Sequence, residues 1–430
     1  MIEGMHNIVT HFNTRPTSWR RVASSLVVIC TLATNGCGGS SSPITSAPPT
    51  SSTPDNQTPP PSSQPLDDPV PADPVNRTPQ GGGHFLFDFD VIKNLILASG
   101  EDRDGIPALT DPLFVSADDP AAGYLLEDDL VLGIARNGEV KAYPHNIGWA
   151  HEIVNDMVGG EPVIVTLCPL TSTSMVFNGE DTDGRIFVGV SGLLFNNNLI
   201  MHDRRDPGDN ATLYPQMISV GIAGARTGNE LAQRPVVETT WRYWKRLYPN
   251  TKVVAEVQAE GTGKPISYDR RTYQNYPYGA YRDPITSPQF DTSPALSENP
   301  ISELFANKDL VLGVRFAEIA KAYPFRVMAD EDVINDEIEG TALVVVHYKA
   351  ESFAVPYSRL FGRNTLTFER VDSTDPVFPF MIRDAETNTT WDLLGRGVSG
   401  PNAGQQLDQI PANNAFWFAW ATFWKNTGIL

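Results

Sequence analysis

Three cysteines in 430 residues leave no material for a disulfide framework. Cys30 lies in an apolar N-terminal stretch and Cys37 just beyond it, so Cys168 stands alone in the rest of the chain. Histidine is also scarce, at seven residues. No stretch reaches the ~20 apolar residues that a membrane-spanning helix needs. Basic residues are outnumbered, 32 Lys and Arg against 51 Asp and Glu, for a net charge of −19. That balance argues against nucleic acid or anionic lipid as the main partner. It suits a chain that stays soluble by self-repulsion.

The first 37 residues read as an export signal of the lipoprotein type. Arg15, Arg20 and Arg21 form the positive region, and Val22–Ala33 forms a short apolar stretch followed by small residues. Cys37 follows Thr34-Asn35-Gly36, which fits a lipidation site except that an aliphatic residue is more usual where Thr34 stands. A lipid on Cys37 would anchor the protein to a membrane of the bacterial envelope, on its periplasmic or outer face. Plain secretion and a retained apolar anchor are the alternatives. Removing 1–37 leaves 29 basic and 50 acidic residues, a net charge of −21. Residues 38–83 are Ser, Thr, Pro, Gln and Gly with almost nothing apolar, and cannot bury a core. They read as a disordered tether. The folded part then starts near His84 and is long enough for two lobes.

The folded part repeats itself. Residues 129–156 align without a gap on 309–336, at an offset of 180, with 11 identities in 28 positions. Asp129-Leu130-Val131-Leu132-Gly133 recurs as Asp309-Leu310-Val311-Leu312-Gly313, and Lys141-Ala142-Tyr143-Pro144 recurs as Lys321-Ala322-Tyr323-Pro324. The match resumes at an offset of 176, where Gly224, Leu231, Trp241 and Trp244 pair with Gly400, Leu407, Trp417 and Trp420. A repeat of this length sets the architecture. The expected boundaries are a first lobe at 84–260, bearing any site, and a second at 261–430 as its structural copy.

Within one repeat, Val131–Ala135 and Glu139–Tyr143 flank Asn137-Gly138, a two-residue hairpin signal. Ala317-Glu318 replaces that pair in the second copy, so the turn type should differ. Asn146–His151 reads as a helical turn. Pro162–Leu167, Met175–Phe177, Ile186–Val190 and Leu199–His202 read as strands. Thr239–Leu247 and Asn414–Trp424 read as aromatic helices that bury their stripes. The expected fold class is α+β, mostly β. It has two duplicated lobes in pseudo-twofold relation, each with several short strands and one main helix.

Comparing the copies locates candidate chemistry. His145, His151 and Cys168 stand where the second copy has Phe325, Glu331 and Tyr348, and His202 faces Ile382. Imidazole and thiolate together suit copper, zinc or iron, with Met201 or Met175 as an axial ligand. The six-residue spacing of His145 and His151 does not place both on one helical face, so ligands would have to converge through the fold. Cys168 as nucleophile with His151 or His145 as base is a second reading. Thr171-Ser172-Thr173-Ser174 would then shape an anion-binding turn, or would only satisfy its own backbone. Each residue also has a structural reading: a buried Cys is a small hydrophobe, and a single His is usually a satisfied core or surface group. Asp102-Arg103-Asp104-Gly105 and Asp181-Thr182-Asp183-Gly184 lack the full ligand series of a calcium loop and read as turns.

These motifs resemble the bacterial family known as domain of unknown function 3179, over nearly all of 101–430. The resemblance rests on Asp104-Gly105-Ile106-Pro107-Ala108-Leu109, Lys141-Ala142-Tyr143-Pro144 and His151-Glu152-Ile153-Val154-Asn155-Asp156. It rests further on Cys168-Pro169-Leu170, Trp391-Asp392-Leu393-Leu394-Gly395-Arg396 and Phe416-Trp417-Phe418-Ala419-Trp420. It implies no activity. Members of the family often carry a second Cys where this chain has Thr171, so a two-Cys switch within the motif is unavailable here. His151 does match the family pattern, which pairs it with Cys168.

Three functions follow as expectations. The first is an exported, lipid-anchored protein with a His/Cys metal or thiol site in the first lobe, which requires His151 and Cys168 to converge. The second is a non-catalytic binding or scaffold module with a groove between the lobes. The third is a degenerate enzyme, given Thr171.

Overall fold

The Asn137-Gly138 turn shows how local sequence builds the first sheet. Both residues take positive φ, 48° and 77°, the conformation of a tight hairpin turn that Asn and Gly tolerate. Leu130–Arg136 pairs through it with Glu139–Pro144, Arg136 opposite Glu139. The computed structural model describes residues 88–256, 270–282 and 299–430. The signal and tether readings of 1–37 and 38–83, and with them Cys37, lie outside the described residues.

The molecule is mostly β, in several small sheets. Its described helices are short: α1 (Phe89–Asn94), α2 (His145–His151), α3 (Trp241–Leu247), α4 (Arg270–Gln274) and α5 (Trp417–Phe423). The two aromatic helices begin later than their sequence suggests. Val237–Thr240 and Ala412–Phe416 are strands, laid antiparallel on Leu130–Arg136 and Leu310–Phe316. β-branched Thr239 and Thr240 favour the ladder, and the Thr240 hydroxyl then caps α3 at Tyr243 N.

The same contacts recur at the two sequence offsets. Val131 opposes Pro144, and Val311 opposes Pro324. Lys252–Val254 joins Glu139–Pro144 in parallel, and Gly428–Ile429 joins Ile319–Pro324 the same way. Trp244 packs against Gly133 and Trp420 against Gly313, where an added Cβ would sit 2.4 Å and 2.0 Å from the indole. Each indole donates to a threonine hydroxyl at 2.9 Å, Thr251 and Thr427. Asn155 brackets Val188 through its backbone N and O, and Asn335 brackets Phe368 likewise. Tyr143 and Lys141 share Asp156, and Tyr323 and Lys321 share Asp336. At the turn the copies diverge: Ala317 takes φ 51° with no glycine after it, yet the hairpin keeps register, Phe316 opposite Ile319.

The cores do not follow the boundary between 84–260 and 261–430. Ile153, Ile164, Cys168 and Met175 share one core with Val311, Ala322, Trp417 and Trp420. Val131, Trp241 and Trp244 share another with Val344, Phe353, Phe380 and Trp391. The backbone interlocks as well. Phe416 N donates to Thr171 O at 2.8 Å, and Thr239 Oγ1 donates to Glu351 O at 2.7 Å. Each repeat thus closes its last strand and aromatic helix onto the middle sheet of the other, which leaves a cleft along the seam.

Candidate functional site

The three first-copy histidines go to separate partners. His151 ends α2, with Nδ1 2.8 Å from Pro107 O and Nε2 3.0 Å from the Tyr273 hydroxyl. The carbonyl needs a donor, so Nδ1 carries the proton and Nε2 accepts from Tyr273. Burial pulls the His151 pKa down to about 4, partly offset by the Pro107 carbonyl, so the ring is neutral at pH 7. His145 Nε2 lies 3.3 Å from Ser174 Oγ and 3.5 Å from Glu238 Oε1. His202 Nε2 lies 3.1 Å from Asp104 Oδ1. With Arg204 also on Asp104 at 2.6 Å, that carboxyl falls to about 2 although its burial works the other way.

Cys168 ends the strand Glu161–Cys168 and is buried. Its sulfur lies 3.7 Å from Asn197 O, and its other hydrogen-bonding neighbours are Thr171 and Leu199. His151 is not among them. Burial, then the nearby Glu152 carboxyl, pushes the thiol up to about 11, so it is protonated at neutral pH. A nucleophile needs the opposite: a lowered pKa or a hydrogen-bonded base. The convergence required by the thiol and metal readings is not a hydrogen-bonded one here. Among the described residues no three of His, Cys, Asp and Glu are grouped to hold a metal ion.

The Thr171–Ser174 run serves the backbone and its neighbours. Ser172 turns at φ 50°, as Ser352 does in the second copy, and the Thr171 hydroxyl accepts from Asn198 Nδ2 at 3.0 Å. The acidic turns are filled by arginines. Arg204 takes Asp104, Arg205 bridges Asp181 and Asp203, and Arg226 reaches Asp183 and Asp206.

Two features escaped the sequence reading. Glu152 follows α2 with φ 57° and ψ −30°, a conformation a non-glycine residue rarely adopts. Its side chain is buried, and burial, with Glu101 nearby, pushes the carboxyl up to about 8. Its counterpart in the second copy, Asp332, spends its carboxylate on Ala329 N and Val333 N. Glu152 acts electrostatically on Tyr278, in the segment where Tyr276 donates to Pro169 O and Tyr281 to Leu170 O. His347 is the second: it stands where the first copy has Leu167, is buried, and bonds Ala329 O at 2.7 Å.

An opening lies elsewhere, along the seam. A cleft of about 130 Å³ runs between Leu130–Arg136, the strand Val237–Thr240 and the segment 394–409 of the second repeat. Trp244, Tyr248 and Tyr357 form its wall, and Arg136, Arg234, Arg396, Glu161 and Asp408 line it. Arg136 and Arg234 approach the same Glu161 oxygen at 3.3 Å and 3.6 Å. The equivalent place in the other copy is filled. There Arg315, in Ala135's position, is half-buried, lies over the Trp424 ring at 5.1 Å and donates to Ser219 Oγ at 3.1 Å.

Searches of curated proteins and of solved structures return no match. The family described as protein of unknown function (DUF3179) matches residues 103–427, a span that takes in the α2 motif, Cys168, both repeats and the cleft. The chain belongs to the DUF3179 family.

Proposed function

We propose that this is an exported, lipid-anchored binding protein of the bacterial envelope, and that its working site is the seam cleft rather than the Cys168 thiol. The observation that carries the reading is the difference between two equivalent places in one fold. Arg315 plugs one from within; Ala135 leaves the other open, walled by aromatic side chains and lined by a few charged groups. Concave sites of this make-up are where proteins take small ligands. The protonated thiol and neutral imidazole favour a non-catalytic module. Export and anchoring through Cys37 rest on Arg15, Arg20, Arg21, the apolar Val22–Ala33 and the small residues before Cys37.

The test is ligand-observed NMR of a fragment library against the full soluble chain and its Ala135→Arg variant. Fragments that bind the parent and are lost in a variant of unchanged melting temperature support the cleft. Fragments that bind both equally refute it. Cys37→Ala should move the protein from the membrane fraction to the soluble one, and unchanged fractionation would refute the anchor.

One observation favours a second reading. The strained, buried Glu152 carboxyl beside Cys168 suits a proton-handling remnant of an enzyme that has lost its second Cys. Copper or zinc held by His145, His151, Cys168 and His202 is tested by elemental analysis after metal loading. Near-stoichiometric metal, lost in His151→Ala and Cys168→Ser, would revive it.

A further inference from the structure

Between the two copies of the cleft, charges are exchanged in pairs. In the filled copy the Arg315 guanidinium lies over the Trp424 ring, donates to Ser219 Oγ and interacts with the Glu230 carboxylate. Val220 bridges Glu230 where Arg396 bridges Gln406, and Leu231 N donates to Ser219 O where Leu407 N donates to Gly395 O, so the two places correspond residue by residue. In the open copy Ala135 and Gln406 stand for Arg315 and Glu230, and both members of that couple are gone. Arg396 and Asp392 stand for Val220 and Gln216, and they arrive together, with Arg396 Nε donating to Asp392 Oδ2 at 3.0 Å. Loss of Arg315 alone would have left a carboxylate calling for a cation. At the other end Arg136 and Arg234 share Glu161, and Arg234 also donates to Asn178 Oδ1 at 3.0 Å. Asp408 completes the lining, so Arg136, Arg234 and Arg396 are matched by Glu161, Asp408 and Asp392. Such a cleft selects for neither sign of charge.

What remains is hydrogen-bonding capacity of both kinds. Gln406 Nε2 donates to Leu394 O at 2.8 Å and to Leu407 O at 3.2 Å, Gln409 Nε2 to Val236 O at 2.8 Å, and Asn137 Nδ2 to Gly159 O at 2.9 Å. A main-chain carbonyl only accepts, so each amide is fixed with its nitrogen on the backbone. Its oxygen has no donor among the described residues. Arg136 gives its Nε to Glu161 and meets no other acceptor among the described residues, which leaves N–H donors in the same lining. The wall is aliphatic at Val163, Val176 and Val236. Its aromatic members are already packed: Trp244 and Tyr357 are buried, and Tyr248 has Trp244 at 4.5 Å and Arg396 at 5.7 Å. A flat aromatic ligand therefore finds no open ring to stack on.

We infer that the seam cleft takes a small neutral polyol, a ring of monosaccharide size whose hydroxyls bond the amide oxygens of Gln406, Gln409 and Asn137 and the guanidinium of Arg136. The inference rests on the cleft being the working site and adds the chemical class of its ligand. A hydroxyl both donates and accepts, which matches fixed acceptors and donors in one lining. The C–H face of a saturated ring matches the valine wall. The free space of about 130 Å³ is close to the roughly 150 Å³ that takes a benzene, so it holds one six-membered ring.

The experiment is an NMR titration of the full soluble chain with glucose, galactose, the uronate and the 2-amino derivative of each, and cyclohexanol. At least one hexose should bind with a dissociation constant on the order of 1 mM, and cyclohexanol about tenfold or more weaker. Neither charged derivative should bind tighter than its parent. Gln406→Met and Gln409→Met should each weaken the hexose about tenfold and leave cyclohexanol unchanged, a split that a merely structural role would not give. Ala135→Leu fills the space without charge and should abolish binding of every probe; Ala135→Val serves if the leucine variant does not fold. A uronate or amine that binds tenfold tighter than its parent, yet is lost in the Ala135 variants, overturns the neutral ligand and keeps the cleft. Cyclohexanol binding as well as the hexoses overturns the polyol. Hexose binding untouched by the Ala135 variants overturns both the polyol and the cleft. No hexose binding at about 10 mM overturns the polyol, while fragments of other chemistry lost in the Ala135 variants would leave the cleft standing.

Discussion

Replacing Glu152 by glutamine should stabilise this protein, and by an amount that grows with pH. The carboxyl is buried, and burial lifts its pKa from the ordinary 4.5 to about 8. Between those values the unfolded chain releases the proton while the folded chain keeps it. Stability is therefore greatest below pH 4.5 and is lost as the pH rises toward 8. Each pH unit in that window costs the fold about 1.4 kcal/mol. The penalty reaches about 3 kcal/mol at pH 7 and about 5 kcal/mol past pH 8, as orders of magnitude. Glutamine keeps the shape and carries no proton to lose, so Glu152→Gln should match the parent near pH 4.5 and exceed it by a few kcal/mol at pH 8. Urea unfolding followed by the fluorescence of buried Trp244, Trp391, Trp417 and Trp420 reads this directly. The slope m should stay constant and the midpoint should diverge with pH. A difference that stays flat from pH 4.5 to 8.5 would refute the reasoning and mean that Glu152 is solvated or paired. Glu152→Gly should add about 1 kcal/mol more by relieving the positive φ, less what glycine loses in chain entropy.

Three further outcomes are expected. His151, held neutral with its pKa lowered to about 4, should make the fold acid-labile as the pH falls from 6.5 toward 4; His151→Gln should flatten that limb of the stability profile, and an unchanged limb would refute the assignment. Cys168 should resist a thiol reagent at pH 7.5 in the native protein and react at once in 6 M guanidinium, about, on the usual denaturing scale; fast native labelling would mean an accessible, lowered-pKa thiol. Gly133→Ala and Gly313→Ala should each cost roughly 1–3 kcal/mol or more, because each added Cβ would overlap an indole ring; a loss confined to one of them would show that the two aromatic contacts are not equivalent.

The sequence alone carried the mostly β class and the equivalence of the repeats, because both are written in local patterns. Alternation and β-branching make strands, Asn137-Gly138 makes a turn, and identities at constant offset mark residues under the same packing demands. It also carried the burial of the aromatic helices, since Trp244 and Trp420 meet glycines that recur with them. It missed the strand just before each aromatic helix, where the ladder to Leu130–Arg136 or Leu310–Phe316 outweighs local helix propensity.

Only the tertiary structure decided which of these side chains meet. Three histidines and a cysteine in one copy look like one site on paper, but each side chain contacts a different partner from elsewhere in the chain: Pro107 and Tyr273 for His151, Asp104 for His202, Asn197 for Cys168. Glu152 became visible only through its backbone angle and burial, which no residue pattern announces. The cleft became visible because the repeats interlock, so that Ala135 of one faces Gln406 and Arg396 of the other. Local periodicity determines elements; the charge and shape of a site depend on residues far apart in the chain, which meet only when the cores of both repeats close together.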